Sequence, residues 1–275
     1  ESQILYERDP LARVAKVAPY LTLEQRAYPA VVDMDGDEST PKRLVWIVDG
    51  YTTTSQYPYS EKQSLLDATT DSRTAEFGMA PPSDNINYMR NSVKAVVDAY
   101  DGSVTLYKWD PDDPIINAWD GVYPNMMKPV SEITGDLMSH LRYPEDMFKV
   151  QRKLLETYHV TGAAEFYTGG DPAEFSLTSV YVPAGAGEAR RAAMAGFLAV
   201  DSETGNEPGK VRDDFGQLRL IALPSSTTVP GPGQVQNNFN TDQKVATELN
   251  LLNQQGSNVI RGNLLTLPVG GGLLY

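Results

Sequence analysis

The sequence predicts an α+β fold with a mixed, largely antiparallel sheet. Three observations support this fold class. Apolar, β-rich runs alternate with turn residues, amphipathic helical patterns occupy about residues 131–158 and 240–255, and 41% of the 275 residues are hydrophobic. That share is enough for a sizeable core. Because no internal repeat or long low-complexity linker interrupts the chain, we expect a single domain over residues 1–275.

The predicted strands are short apolar runs, each bounded by turn-forming residues. They lie at residues 28–33, 44–49, 92–100, 103–109, 175–182, 196–201 and 217–223. The first two form a hairpin across the polar loop 34–43. The next two form a hairpin across Asp101 and Gly102, because the glycine supplies the positive φ that a tight turn needs.

Helix starts are predicted from capping residues and prolines. Pro10 opens a short helix over residues 9–18, where its missing N–H is not needed. Ser131 caps the first helix of the region 131–158, and Pro144 opens the second.

The last helix follows a stretch of proline and glycine, residues 229–233, which we expect to be irregular. Asn240 is its predicted cap, with a glutamine three residues further on as in a capping box. The stripe that we expect this helix to bury consists of Val245, Leu249 and Leu252.

Charge and composition exclude several classes of function. Acidic residues outnumber basic ones 36 to 23, and the formal net charge of −13 is spread along the chain. Such a surface repels nucleic acid, so we expect no nucleic-acid partner. The absence of cysteine excludes disulfides and a thiolate nucleophile. No phosphate-binding loop or nucleophile elbow is present, and we expect no cofactor.

Three carboxylates, Asp110, Asp112 and Asp113, fall within four positions at the end of a predicted strand. Oxygen ligands at this density could hold a hard cation, which makes these residues candidate metal ligands. The favoured alternative is a polar turn in which the aspartates hydrogen-bond their own backbone. No residue is assigned a catalytic role.

The best candidate for a binding surface follows the apolar strand near residue 48. Residues 49–60 read DGYTTTSQYPYS, with three tyrosines among hydroxyl side chains. Tyrosine rings stack on sugars and peptides with little loss of entropy, and hydroxyls adapt as hydrogen-bond partners. We expect this segment to leave the sheet and form an aromatic-lined groove with candidate ligand-binding residues Asp49, Tyr51, Tyr57, Tyr59 and Arg90. The alternative is that the tyrosines pack half-buried under a loop.

Several strings of the sequence resemble a known but uncharacterised family of large integral-membrane proteins of actinobacteria and cyanobacteria. They are WIVDGYTTTSQYPYS at residues 46–60, INYMRNSVKAVVDAYDG at 86–102, HLRYPEDMFKVQ at 140–151, VPGPGQVQ at 229–236 and NVIRGNLLTLP at 258–268. The strings are long and extend over nearly the whole chain, so the resemblance is specific.

The resemblance implies several N-terminal transmembrane helices followed by a large extracytoplasmic region, of which this chain resembles the latter part. The chain opens without a methionine or a signal peptide and has no run of about eighteen apolar residues, so we expect a fragment of a longer membrane protein. Relatives carry a further segment after residues 166–170. We therefore expect a segment to be missing between Gly170 and Asp171.

Two functions from different classes remain open, because the resemblance implies no reaction. In the first, the chain is a binding or scaffolding module at the cell envelope, in contact with its own membrane-spanning part and holding a glycan, a peptide or a partner protein. In the second, it is an envelope hydrolase or transferase that acts on a glycan or peptide through paired carboxylates. The enzyme needs acidic side chains that converge in a deep cleft with shifted pKa values, whereas the module does not.

Overall fold

The computed structural model describes residues 6–37, 39–69, 85–155, 176–182, 193–223, 229–253, 259–260, 262, 264–269 and 272–275. The chain divides into two compact units. The first comprises residues 1–159, 174–177 and 201–217, and the second comprises residues 160–173, 178–200 and 218–275. The single domain stays a prediction. So does the missing segment between Gly170 and Asp171, which lies outside the described residues.

The first unit contains five helices and eight strands among its described residues. In chain order they are α1 (Pro10–Val17), β1 (Thr22–Leu23), β2 (Tyr28–Val32), β3 (Arg43–Thr54), β4 (Gln63–Ser64), α2 (Leu65–Thr69), β5 (Asn85–Ile86), β6 (Tyr88–Asp98), β7 (Val104–Lys108), α3 (Pro114–Val122), β8 (Met127–Pro129), α4 (Gly135–His140) and α5 (Glu145–Leu155).

The long strand β3 is the centre of a six-stranded sheet. One of its edges pairs with β2 and then with β1, and the other pairs with β6 along nearly its whole length. Strand β7 pairs with β6, and β8 is parallel to β7, whereas all the other pairs are antiparallel. Both predicted hairpins are therefore confirmed, with Gly102 at a φ of 72° in the second turn. The α+β fold class is confirmed as well.

Both faces of this sheet are covered, which explains why β3 and β6 are buried along most of their length. Successive side chains of a strand point to opposite faces, so alternate residues enter two separate clusters. One cluster packs Val93, Ala95 and Val97 against residues of α1 and α3, including Val14 and Ile116. The other packs Val45, Ile47 and Val96 against residues of α4, including Leu137 and Met138.

Two helix starts in this unit differ from the predictions. Ser131 lies in a short 3-10 turn, Val130–Glu132, and α4 begins after Thr134, whose hydroxyl accepts the N–H of Leu137 at 3.2 Å. Helix α3 was not predicted, because its cap, Asp113, was assigned to a polar turn. The start of α5 after Pro144 is confirmed, and residues 156–158 of the predicted helix lie outside the described residues.

The second unit contains a three-stranded sheet of β9 (Ser176–Tyr181), β10 (Gly196–Asp201) and β11 (Leu218–Ala222), with β10 in the middle. Its core consists of Met194, Phe197, Ala199 and Ile221. Two helices, α6 (Pro232–Thr241) and α7 (Gln243–Leu252), and a hairpin of β12 (Leu267–Val269) and β13 (Gly272–Leu274) complete it. None of the helices formed by the described residues is long and apolar enough to cross a membrane.

The predicted start of the last helix is wrong. Pro232, inside the stretch expected to be irregular, opens α6, because its fixed φ suits the first position of a helix. Asn240 is therefore inside α6, and Asp242 caps α7 by accepting the N–H groups of Lys244 and Val245 at 3.0 and 3.1 Å. The stripe predicted to be buried is not buried, since Val245 and Leu252 are both exposed.

A buried carboxylate joins α3 to the central strands. Asp113 is fully buried and accepts the hydroxyls of Thr52, Ser92 and Tyr88 at 2.6, 2.5 and 2.6 Å. It also accepts two N–H groups in the first turn of α3 at 3.0 and 3.3 Å. Burial opposes ionisation, but these hydrogen bonds outweigh it and hold the pKa of Asp113 below its ordinary value.

Replacing this carboxylate should weaken the first unit far more than replacing an exposed cap. We expect Asp113→Ala to lower the free energy of unfolding by about 3 kcal/mol or more, because it removes a cap and leaves buried hydroxyls without their acceptor. The matched control is Asp9→Ala at the exposed cap of α1, for which we expect about 1 kcal/mol. Urea unfolding followed by tryptophan fluorescence measures both losses. Equal losses of unfolding free energy in the two variants would contradict the role of Asp113 as a buried link between α3 and the central strands.

Candidate functional site

Strand β3 does not end where the sequence predicts. Residues 49–54 were expected to leave the sheet, but β3 continues through them to Thr54, with a bulge between Gly50 and Tyr51. Asp49 and Tyr51 are consequently buried inside the sheet layer and do not contribute to a surface. The prediction that the segment leaves the sheet after the apolar run is wrong for these two residues.

Asp49 is held by an ion pair in the interior. Its carboxylate lies 2.5 Å from Nζ of Lys94, the residue directly opposite on β6, and accepts Nδ2 of Asn91 at 3.0 Å. Lys94 is fully buried, donates to the carbonyl of Arg142 at 2.7 Å and lies 5.1 Å from the ring centroid of Trp109. The cation is thus surrounded by a carboxylate, a carbonyl and an aromatic face, which together compensate for its lost hydration.

Tyr51 continues this network toward α5. Its hydroxyl donates to the carboxyl of Glu24, which also accepts the N–H of Asp146 in the first turn of α5 at 3.1 Å. Burial, together with the neighbouring carboxylates of Asp146 and Asp49, raises the pKa of Glu24 well above its ordinary value. Burial also raises the pKa of Tyr51. The Glu24 carboxyl, whose pKa is raised, therefore joins β3 to α5.

Three acidic side chains, those of Glu24, Asp49 and Asp146, thus lie close together, and the pKa of Glu24 is shifted. The enzyme hypothesis requires such a group, but it also requires a cleft that exposes the carboxylates to a substrate. Glu24, Asp49 and Asp146 expose only 5%, 2% and 4% of their surface. Hydrolysis through paired carboxylates requires both groups to reach the scissile bond. In this conformation a glycan or peptide cannot contact them, and their geometry is that of an internal structural network.

Tyr57 and Tyr59 lie outside the sheet, beyond the end of β3. Tyr57 is 53% exposed and Tyr59 is fully exposed. The ring of Tyr57 stacks on Tyr88 with 5.7 Å between the centroids. The side chain of Asn87 holds the backbone here, since its Oδ1 accepts the N–H of Tyr57 at 3.0 Å and its Nδ2 donates to the carbonyls of Tyr57 and Ser60 at 2.8 and 3.0 Å.

A groove of about 300 Å³ lies between α2 and α5, and we call it the tyrosine groove because Tyr88, the stacking partner of Tyr57, lines it. Its lining includes Tyr88 and Ser60, and its apolar walls are formed by Leu65, Ala68, Ile86, Met89, Met147, Val150 and Leu154. Oε1 of Gln63, a further lining residue, is buried without a hydrogen-bond partner. The groove therefore has apolar walls over a buried unpaired polar atom, and Ser60 in its lining directly follows the exposed Tyr59 in the chain.

Arg90 and the three aspartates after β7 meet at the same end of the sheet. Nε of Arg90 lies 2.8 Å from Asp110, and the backbone N–H of Asp112 donates to Asp110 at 3.1 Å. Burial, followed by the hydrogen bond to Asp113, raises the pKa of Tyr88 to about 12. Within the described part of the chain no three His, Cys, Asp or Glu side chains are grouped to hold a metal ion. The arrangement is that of a polar turn continued by a helix cap.

The sequence reasoning missed the residues that organise this region. Glu24, Tyr88 and Asn87 were not selected, although Lys94 gave a signal because it is a lone charge inside the apolar run of β6. A charge in a strand that is otherwise buried indicates a buried partner. The ligand-binding role proposed for Tyr57, Tyr59 and Arg90 stays a prediction.

Fold and site together define an α+β module with an ion-paired interior and an aromatic surface groove. The chain matches the profile of the uncharacterised protein family UPF0182 over residues 1–172 and 168–252. It belongs to this family. The two matches overlap at residues 168–172, and this overlap contains the position where a segment is predicted to be missing. No solved structure matches the chain significantly.

Relatives from several bacteria align with the whole chain. The chain is 49% identical over 306 positions to a UPF0182 protein of Leifsonia xyli subsp. xyli and 52% identical over 306 positions to one of Paenarthrobacter aurescens. A UPF0182 protein of Bifidobacterium longum is 50% identical over 311 positions. The chain spans only 28–30% of the length of these curated relatives.

The buried Glu24 should make stability depend on pH in a defined direction. Because its pKa is raised on folding, its contribution is fully present below the pKa of an unfolded glutamate and is lost as the pH rises through the folded pKa. In this range the free energy of unfolding should fall by up to about 1.4 kcal/mol per pH unit.

Glu24→Gln should remove this fall, since the amide oxygen accepts the same hydrogen bonds without ionising. Urea unfolding between pH 5 and pH 9, roughly the range over which folded proteins are most stable, measures the difference. Glu132→Gln, at an exposed glutamate, is the matched control, and its stability should depend on pH as that of the parent protein does. A Glu24→Gln profile identical to that of the parent would rule out a raised pKa of Glu24.

Proposed function

We propose that the chain is an extracytoplasmic binding module of a bacterial membrane protein, and that its tyrosine groove holds a polypeptide segment at the cell envelope. The tyrosine groove is the observation that carries the proposal. The envelope location rests on the resemblance of the sequence to integral-membrane proteins with a large region outside the cytoplasm.

The chemistry of the groove favours a polypeptide. Its apolar walls suit aliphatic or aromatic side chains, and methionines such as Met89 and Met147 adapt to different shapes. The volume of about 300 Å³ is at the lower end of the range for ligand pockets and suits one or two side chains of a longer segment.

Tyr59 is presented to solvent in a conformation that has a cost. Its φ is 59°, in the left-handed region that a bulky residue seldom adopts. The clamp of Asn87 on the surrounding backbone holds the turn in place. Strain of this kind, maintained by specific contacts, is typical of functional surfaces and supports a binding role for this turn.

The envelope hydrolase or transferase is the alternative. It requires acidic side chains that a substrate can contact, and the converging carboxylates of Glu24, Asp49 and Asp146 expose 5% or less. The geometry of the described residues therefore supports the module better than the enzyme.

The first candidate for the bound segment is the rest of the same protein. The chain corresponds to about 30% of the length of its relatives, so most of the full-length protein lies outside it. A segment tethered on the same polypeptide has a high effective concentration and needs only a small groove to stay bound. A second protein of the envelope is the other source of the same chemistry.

The proposed location predicts labelling from outside the cell. The chain contains no cysteine, so Tyr100→Cys, at an exposed hairpin residue, introduces a single thiol into it. In intact cells that express the full-length protein, we expect a membrane-impermeant maleimide to label this variant. Full-length protein without the substitution is the control for cysteines elsewhere. Labelling only after the cells are lysed would contradict the location.

The proposed ligand predicts a specific photocrosslink. We replace Tyr59 by a photoreactive phenylalanine analogue in the full-length protein in its native host. Mass spectrometry of the adducts should identify one defined peptide, from this protein or from a partner. The same analogue at Tyr100, away from the groove, should not give this adduct.

A matched pair of charge substitutions tests the groove itself. Leu154→Glu places a carboxylate in the groove at a residue that is already 40% exposed. The control, Leu44→Glu, places a carboxylate on β3, at a residue that does not line the groove and is 50% exposed. Because burying an unpaired charge is costly, only Leu154→Glu should reduce the adduct, by about tenfold or more. Adducts that contain only lipid or glycan, or an adduct insensitive to Leu154→Glu, would refute a polypeptide ligand.

A further inference from the structure

A cavity of about 1010 Å³ in the first unit is a second candidate site, apart from the tyrosine groove. It lies between the C-terminal end of α4 and the segment 202–214, and we call it the polar cavity. Its lining includes Ser139, His140, Arg142, Glu203, Asn206 and Arg212. Its volume is at the upper end of the range for small-molecule sites.

The segment that forms one wall is held rigidly against α4 and the turn before it. The hydroxyl of Thr204 donates to the carbonyl of Met138, and the N–H of Gly209 donates to the carbonyl of Ile133 at 3.0 Å. Gly209 has a φ of 67°, and a Cβ at this position would lie 2.6 Å from Cα of Ser131. Only glycine allows this close approach, so the cavity is preformed.

Arg212 is fixed at the wall by two carboxylates. Its Nε and one terminal nitrogen lie 2.9 and 2.5 Å from the two oxygens of Asp214, and the other terminal nitrogen lies 2.9 Å from Glu203. Its side chain is nevertheless partly exposed to the cavity. The guanidinium of Arg212 and the carboxylates that hold it are therefore already ordered at the cavity wall. A ligand that contacts them does not incur the entropy loss of ordering these side chains.

The charges around the polar cavity are nearly balanced. Three cationic side chains, Arg142, Lys210 and Arg212, are matched by the carboxylates of Glu203, Glu207, Asp213 and Asp214. A phosphate or other anion would meet these carboxylates at short range, and a cation would meet the arginines. The lining thus favours a neutral ligand that both donates and accepts hydrogen bonds.

We infer that the polar cavity binds a neutral oligosaccharide. A sugar hydroxyl donates one hydrogen bond and accepts others, which suits a wall of alternating guanidinium, amide and carboxylate groups. A peptide would in addition need apolar pockets for its side chains, and the lining provides few apolar residues, such as Leu141 and Val211. This site is separate from the tyrosine groove and does not depend on it.

The test uses the full-length protein in micelles of a detergent without a sugar headgroup. Saturation-transfer NMR measures binding of neutral trisaccharides of glucose, mannose, galactose and arabinose, beside a phosphorylated trisaccharide. We expect at least one neutral trisaccharide to bind at millimolar concentration or below. We expect the phosphorylated sugar to bind more weakly.

Two variants relate binding to the cavity. Arg212→Lys keeps the charge but loses the planar fork, and we expect about tenfold weaker binding of the sugar. Asn206→Ala, at an exposed lining residue, removes a donor and an acceptor without disturbing the Arg212 ion pairs, so weaker binding in this variant does not depend on the stability of Arg212→Lys.

The control is Leu154→Glu in the tyrosine groove, which should leave sugar binding unchanged even where it abolishes the polypeptide crosslink. The inference is overturned if no neutral trisaccharide binds, if the phosphorylated sugar binds more tightly, or if both cavity variants bind the sugar as the parent does. None of these results bears on the tyrosine groove, so the two proposals fail independently.

Discussion

The ion pair between Asp49 and Lys94 constrains the rest of the first unit. The two residues are directly opposite on β3 and β6, so their contact defines the register of the two central strands. A slip of one strand by one residue would turn its charge toward the other face of the sheet, where Val48 and Ala95 pack in an apolar cluster, and would separate it from its partner. Leaving one charge without its partner there costs about 3–5 kcal/mol, which makes the observed register strongly preferred.

This register also determines where the helices attach. On β3, Tyr51 follows the ion pair and reaches Glu24 and the first turn of α5, and Thr52 reaches Asp113 at the cap of α3. Both links run through buried polar groups that have specific partners, so they position a helix more narrowly than apolar contact alone. The tyrosine groove lies between α2 and α5, and its shape therefore depends on a network that contacts no ligand.

The sequence predicted this fold from patterns that are local. The hairpins β2–β3 and β6–β7, the helices α1 and α5, and the strands β9, β10 and β11 could be predicted because period, proline and glycine specify them within a few residues. Asp49 was interpreted as the end of a strand because a charge seldom continues a buried run. Its partner is 45 positions away in the chain and becomes its neighbour only through the pairing of β3 with β6. The caps at Thr134 and Asp242 were missed because Ser131 and Asn240 are equally good capping residues, and only the packed structure selects between them.

The part of the candidate site that depends on local sequence was predictable, and the part that depends on other strands was not. The exposure of Tyr57 and Tyr59 follows from Pro58, which cannot donate within a sheet and so requires β3 to have ended before it. The clamp by Asn87 and the stacking on Tyr88 come from the next strand and leave no local trace in the tyrosine segment.

Many of the acidic side chains bind groups of the protein itself, which limits the ligands that they can bind. Asp113 and Asp9 cap helices, Asp49 neutralises a buried lysine, and Asp214 and Glu203 fix Arg212. Carboxylates that are engaged by protein donors have fewer lone pairs left for a metal ion, which needs six or more oxygen ligands in the case of calcium. They remain good secondary acceptors for neutral donors. This arrangement of carboxylates is therefore consistent with the neutral ligands that we propose for the tyrosine groove and the polar cavity.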